Sequence, residues 1–207
     1  MNSLPRLCLI TDRRIVRKGT PTEAVKAALD GGVRMVQLRE KDLPIRDLLT
    51  LAEETRDLTR AYGALLFIND RLDVAICAEA DGVHLPQNGL PVGGIRPVVP
   101  KGMRVGVSTH SLAEATEAQA NGAEFVTFGP VYETLSKAAY GEPVGVPVLK
   151  ETCRSLRIPV YALGGITAGR VGEVLEAGAF GVGLISAILG QDDIQAAARE
   201  FSALVER

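Results

Sequence analysis

Short apolar runs recur along the chain, at residues 7–11, 33–38, 65–68, 82–85, 105–108, 125–128, 159–163 and 181–185. Each is about as long as a strand and carries few polar positions, the pattern of parallel strands buried on both faces. Between them, apolar positions return every three or four residues, as on an amphipathic helix. Leu48, Leu49, Ala52, Thr55, Arg56 and Leu58 share one side of such a stretch, with Glu53, Glu54 and Asp57 on the other. Residues 113–120 and 171–177 carry similar spacing. The helical stretches end at Asp30-Gly31-Gly32, Ala80-Asp81-Gly82, Asn121-Gly122 and Ala177-Gly178. A glycine just past a helix adopts the left-handed conformation that stops it.

Strict alternation of strand and helix predicts an α/β fold, a small single-domain (β/α)8 TIM barrel over residues 1–207 with a long loop after strand six. A doubly wound open sheet is the alternative, and it would carry a phosphate loop after its first strand. Here that strand runs into Thr11-Asp12-Arg13-Arg14 without a glycine cluster. Glycines follow strands seven and eight instead, where barrels bind phosphate. The composition, 46% hydrophobic and 23% charged, excludes disorder as the main description. A formal net charge of −2 leaves no footprint for nucleic acid. The apolar stretch 179–190 is too short to span a bilayer, and residues 1–6 lack the layout of a signal peptide. Cys8, Cys77 and Cys153 are widely spaced, and Cys8 and Cys77 sit in apolar runs, which reads as reduced core thiols in a cytoplasmic protein. A homo-oligomer is compatible with the sequence and is not decided by it.

In a barrel, chemistry gathers at the carboxyl ends of the strands. After strand two, Gln37-Leu38-Arg39-Glu40-Lys41-Asp42 sends Gln37, Arg39 and Lys41 to one side by alternation. An Arg fork and a Lys point charge suit phosphate oxygens; a solvated charge run is the alternative. After strand three, Asp70 either binds Mg²⁺, which takes one or two carboxylates, or caps a helix beginning near Arg71. His84, flanked by apolar residues, reads as a packed and hydrogen-bonded barrel residue, and no second His stands at zinc-ligand spacing. After strand five, Ser108 and His110 face the site and Ser111 with Glu114 resembles a capping box.

The loop after strand six, residues 129–145, is about 17 residues long, whereas a typical βα loop has roughly 2–6. It reads as a lid or binding loop, and its Thr134, Ser136 and Lys137 match an oxyanion. After strands seven and eight, Gly164-Gly165-Ile166-Thr167 and Ile185-Ser186 combine bare backbone N–H groups with helix starts, which attract phosphate. This much cationic charge exceeds the need of one monophosphate, so a pyrophosphate or a second phosphorylated substrate is expected. No strained Gly-x-Ser-x-Gly elbow or matched acid–base pair is present. The chemistry is therefore positioning and charge stabilisation of a leaving phosphate group.

These segments, together with Leu9-Ile10-Thr11-Asp12, Ile68-Asn69-Asp70-Arg71, Asp81-Gly82-Val83-His84-Leu85, Gly106-Val107-Ser108-Thr109-His110, Gly129-Pro130-Val131-Tyr132 and Ile185-Ser186-Ala187-Ile188, resemble the thiamine phosphate synthase family and its sister group, the TenI-type thiazole tautomerases. The resemblance covers nearly the whole chain. It implies a transferase of thiamine biosynthesis that joins hydroxymethylpyrimidine pyrophosphate to thiazole phosphate, with Mg²⁺ as cofactor. Gln37, Arg39, Lys41 and Asn69 would hold the pyrimidine pyrophosphate and Asp70 the Mg²⁺. Ser108 and Lys137 would steady the departing pyrophosphate, so Arg39, Ser108 and Lys137 are the implied catalytic set. Thr134 and Ser136 would contact the thiazole, and Gly165, Ile185 and Ser186 its phosphate. The implied mechanism is dissociative.

Two departures stand out. The family's second Mg²⁺ carboxylate falls on Gly89 in this chain, within His84-Leu85-Pro86-Gln87-Asn88-Gly89. Leu85-Pro86 and Tyr132-Glu133-Thr134 look more like the TenI group, yet the His used by its tautomerase is Pro130 here. A thiazole phosphate tautomerase and a non-catalytic thiazole-phosphate-binding regulator are the competing readings.

Overall fold

Eight strands pair in chain order and in parallel, and the last closes on the first. They are β1 (Leu7–Ile10), β2 (Met35–Leu38), β3 (Leu65–Asn69), β4 (Gly82–Leu85), β5 (Arg104–Thr109), β6 (Phe125–Phe128), β7 (Val160–Leu163) and β8 (Gly181–Leu184). The computed structural model from which they are taken describes residues 3–134 and 142–206. Closure realises the expected barrel and excludes the open sheet. The largest shift from the predicted boundaries is at β2, which starts at Met35 rather than Val33. The Val33 N–H is spent on the Ala28 carbonyl (3.1 Å), so Val33 belongs to the preceding helix exit.

Around the ring lie α1 (Pro21–Asp30), α2 (Ile45–Ala61), α3 (Leu72–Cys77), α4 (Val92–Ile95), α5 (Leu112–Ala120), α6 (Gly145–Ser155), α7 (Ala168–Glu176), α8 (Ser186–Leu189) and α9 (Ile194–Val205). None of the described helices is long and apolar enough to cross a membrane. Thr20 and Glu23 close a full capping box on α1. At α5 the expected box is only half made. The Ser111 hydroxyl accepts the Glu114 N–H, but the Glu114 carboxylate accepts from the His110 N–H (2.7 Å), outside the box. Gly32, Gly122 and Gly178 are left-handed helix stops, as expected. Gly82 is not one. It is the first residue of β4, and a Cβ there would lie 2.2 Å from the Phe67 ring.

The two faces of the sheet build two cores. Outward residues such as Leu9, Val36, Ile68, Val83, Val126 and Val182 pack under the helices. Inward residues Cys8, Ile10, Met35, Phe67, Phe125, Tyr161 and Leu163 fill the ring. Phe67, Phe125, Tyr161 and Phe180 stack edge to face with centroids 5.2–5.5 Å apart, a favoured aromatic geometry. Tyr161 donates from its phenol to the Pro5 carbonyl (2.6 Å), and Arg6 Nε donates to the Phe180 carbonyl (2.9 Å), which binds the amino-terminal segment across this floor. Burial pushes the Cys8 thiol up to about 12, so it is an inert core group. Cys77 corrects the sequence reading: it ends α3 on the exposed side.

Phe125 is fully enclosed by this packing. Phe125→Ala is expected to lower stability by about 3–5 kcal/mol through the cavity it leaves, measured by urea unfolding followed by circular dichroism. Gly106→Ala, whose Cβ would fall 2.2 Å from Phe125 Cζ and 2.7 Å from His84 Nδ1, is expected to cost about 1–3 kcal/mol by overpacking.

Candidate active site

Above the aromatic floor the inward positions turn polar. Two residues after Met35, Phe67, Gly82, Gly106 and Phe125 stand Gln37, Asn69, His84, Ser108 and Thr127, on the same face by strand alternation. Gln37 Nε2 donates to Asn69 Oδ1 at 3.2 Å. His84 Nε2 lies 3.0 Å from Ser108 Oγ, and Thr127 Oγ1 is 3.4 Å from both. His84 is buried and its ring is tilted against Phe125. Its geometry is that of the packed, hydrogen-bonded residue expected from the sequence. Gln37, Asn69 and Ser108 open onto a cavity of about 300 Å³, which Arg39, Lys41, Ile185 and Ser186 also line.

The charges at this mouth divide into spent and unspent. Arg13 pairs with Asp42 (2.6 and 2.9 Å) and reaches Glu40 (3.4 Å), while Arg14 grips Asp12 through two bonds of 2.8 Å. Those guanidinium groups hold the Asp42 and Asp12 carboxyls below the usual carboxylate range. Arg39 and Lys41 form no ion pair among the described residues, and both face the cavity. The solvated-run reading of residues 37–42 fails at Glu40. Its carboxylate is buried, accepts the Thr11 hydroxyl (2.6 Å) and takes the Arg13 N–H (3.1 Å). Thr11 Oγ1 in turn accepts the Arg39 N–H at 2.9 Å. The ends of β1 and β2 are thereby joined, and the backbone under Arg39 is fixed.

A second cavity, of about 470 Å³, is lined by Thr134, Gly165, Ile185 and Ser186, and it shares the wall Leu163, Ile185 and Ser186 with the first. The N–H groups of Gly165, Ile166 and Ser186 have no hydrogen-bond partner among the described residues, a donor set suited to an anion. The glycine pair has a further cause that the sequence did not show. Gly164 and Gly165 are left-handed, and a Cβ on either would strike the strand-six loop, 2.5 Å from Pro130 Cβ and 2.6 Å from the Glu133 carbonyl oxygen. The two ends of that loop are bonded together, Val144 N–H to the Pro130 carbonyl and Gly145 N–H to that of Val131. Ser136 and Lys137 lie outside the described residues.

Asp70 corrects one alternative. It does not cap α3, whose N-cap position is Arg71. Asp70 is instead held at φ +67°, uncommon for a non-glycine residue, with its N–H on the His84 carbonyl (2.8 Å). Its carboxylate is exposed and makes no hydrogen bond among the described residues. It lines neither cavity but follows Asn69, which lines the first. No group of three His, Cys, Asp or Glu residues able to hold a metal occurs among the described residues. A lone free carboxylate fits an ion such as Mg²⁺ that fills its shell with water and substrate phosphate oxygens. At Gly89 the chain turns back on itself, its N–H on the Pro86 carbonyl (2.9 Å), and a Cβ would lie 2.9 Å from the Pro86 ring. The loop has no room for a second carboxylate there without rearrangement.

Sequence reasoning gave no part to several cavity-lining residues: Asp12, Arg14 and Thr127 at the first cavity, and Arg17 and Arg170 at the second. The first two could have been found, because the end of β1 opens on the same mouth as the other strands. Arg170 stands just ahead of the helical spacing read at 171–177, although it falls in the first turn of α7.

The family model described as thiamine monophosphate synthase matches residues 7–188. A protein of Geobacter sulfurreducens is 52% identical over 96% of this chain and 93% of its own length. The thiamine-phosphate synthase of Methanoculleus marisnigri is 48% identical, covering 93% of this chain and 92% of that protein. The solved structure of thiamine phosphate pyrophosphorylase from Pyrococcus furiosus superposes with a TM-score of 0.89 at 37% identity, covering 97% and 95% of the two chains. By sequence and by fold, this chain belongs to the thiamine monophosphate synthase family.

Proposed function

We propose that the two cavities hold two phosphorylated substrates, a hydroxymethylpyrimidine pyrophosphate beside Arg39 and Lys41 and a thiazole phosphate beside Gly165 and Ser186. The enzyme joins them to thiamine phosphate and releases pyrophosphate. The observation that carries this reading is the pairing of two anion-binding chambers through one wall, Leu163, Ile185 and Ser186. Among the described residues, one chamber has cations without carboxylate partners, and the other has N–H groups without acceptors.

In this reading the bond from the pyrimidine methylene carbon to the pyrophosphate oxygen breaks first, and its electron pair leaves with the pyrophosphate. The pyrimidine ring delocalises the resulting positive charge, and the thiazole nitrogen then donates its lone pair to the methylene carbon. Gln37 and Asn69, bonded to each other at 3.2 Å, orient the ring. Arg39 and Lys41 collect the charge that builds on the leaving group, the kind of preorganised stabilisation that dominates such catalysis. When His84 donates from Nε2 to Ser108 Oγ, the Ser108 hydroxyl proton is free for a pyrophosphate oxygen. Lys137, from its place in the sequence, would join that set. Thr134 lines the thiazole side, with Ser136 beside it in sequence. Asp70 would hold Mg²⁺, which supplies positive charge to offset that of the pyrophosphate. Pro130, where the sister group's tautomerase has a His, packs on Gly164 and offers no proton-transfer group.

Thiamine phosphate and pyrophosphate are expected to form in equal amounts from the two substrates with Mg²⁺, and to stop on chelation, as followed by chromatography. Isomerisation of the thiazole phosphate without the pyrimidine would replace this reading with the tautomerase, and binding without either reaction would leave a regulator. Arg39→Ala and Lys137→Ala are each expected to lower kcat by roughly 10²-fold; an unchanged rate removes the residue from the assignment. Glu40→Ala leaves the Thr11 hydroxyl and the Arg13 N–H without their acceptor. It is expected to cost about 1–3 kcal/mol of stability and to raise KM for the pyrimidine pyrophosphate but not for the thiazole phosphate.

A further inference from the structure

The second cavity contains a cation that the function just described leaves unused. Arg170, in the first turn of α7, lines this cavity with Gly165, Thr134 and Ser186. Its side chain is held from two directions. Nη1 donates to the Gly165 carbonyl at 2.8 Å, and the guanidinium carbon stands 4.3 Å from the centroid of the Tyr132 ring. Tyr132 is itself pinned. Its phenol donates to Glu173 Oε2 at 2.6 Å and its N–H bonds to the Gly164 carbonyl at 3.1 Å. Burial and the neighbouring Glu173 push that phenol up to about 12, so the ring remains a neutral platform.

A guanidinium carries several N–H donors in a rigid fork. The bond to Gly165 is the hydrogen bond of Arg170 among the described residues, and Arg170 forms no ion pair among them. Arg17, on the same cavity, differs in being paired with Asp192 at 3.2 Å. The Gly165 bond also sets the plane of the Gly165–Ile166 peptide. Because a trans peptide points its N–H opposite to its carbonyl, the unspent Ile166 N–H is held in a fixed direction.

We propose that Arg170 is a specificity residue for the phosphate end of the thiazole substrate. It supplies a forked cation to the cavity and fixes the peptide of the N–H cradle, so that the site selects a monophosphate ester over the free alcohol. This rests on the assignment of the thiazole phosphate to the second cavity.

The test is a calorimetric titration of the wild-type chain, Arg170→Met and Arg170→Lys with hydroxyethylthiazole phosphate and, separately, with hydroxyethylthiazole. Met keeps the apolar stem of the side chain and removes its charge and donors. Arg170→Met is expected to weaken the phosphate ester by roughly 10–100-fold, the range for hydrogen bonds to a charged group, with the alcohol unchanged. Arg170→Lys, which keeps the charge without the fork, is expected to fall between them for the ester alone. KM for the pyrimidine pyrophosphate is expected to stay at the wild-type value in both variants. An equal loss for ester and alcohol would reduce Arg170 to a prop for Gly165 and overturn the proposal, as would an unchanged ester affinity. If Arg170→Met does not fold, the ester-to-alcohol ratio of Arg170→Lys decides the matter alone. A wild-type chain that binds the ester in preference to the alcohol, yet forms no thiamine phosphate, would remove the synthase reading while the same titrations still decide the part of Arg170.

Discussion

Filling the inside of a closed eight-stranded ring is the constraint on which the rest of the structure depends. A ring of this size has just enough interior for side chains to occupy it. Here two large side chains each fill the space left by a glycine on the neighbouring strand. The Phe67 ring takes the space that a Cβ on Gly82 would need, and the Phe125 ring takes that of Gly106. Met35, Phe67, Phe125 and Tyr161 consume the lower interior, and the polar side chains Gln37, Asn69, His84, Ser108 and Thr127 stand above them toward the carboxyl ends of the strands. The same strand alternation that packs the floor therefore sets Gln37, Asn69, His84 and Ser108 around the mouth.

The mouth uses charge in two ways. Arg13 and Arg14 are neutralised by Asp42, Glu40 and Asp12, and their work is structural: Arg13 fastens the exit of β1 to that of β2, and Arg14 braces the β1 exit on its own Asp12. Arg39 and Lys41 form no ion pair among the described residues, and in the proposed function their charge is kept for the pyrophosphate. A buried carboxylate, Glu40, makes this division work, because it anchors Thr11 and through it the Arg39 backbone. A buried charge is retained only where such bonds satisfy it. The second chamber follows a different rule, presenting main-chain N–H groups that a neighbouring loop and a stacked arginine hold in place.

The strands were legible because a barrel strand is buried on both faces and leaves an apolar run that little else imitates. The alternation that put Gln37 and Arg39 on one side was also legible, since it depends only on chain geometry. Features that depend on contacts between distant segments were not. Glu40 looked like part of a solvated run because its partners, Thr11 and Arg13, lie on another strand's exit. Gly82 looked like a helix stop because the Phe67 ring it accommodates is on the neighbouring strand. Asp70 looked like a cap because the pattern places a helix next to it, whereas its N–H is claimed by the His84 carbonyl. Cys77 looked buried because its neighbours are apolar, and the helix turns it outward.

The sealed floor has a consequence for traffic. Tyr161, Phe180, Pro5 and Arg6 close the lower end of the ring, and a side chain on Gly181 would run into the Arg6 carbonyl only 2.0 Å away. Reactants and products thus come and go from the carboxyl-end side of the ring, where both cavities lie. Whatever lodges there after turnover stands in the path of the next arrival.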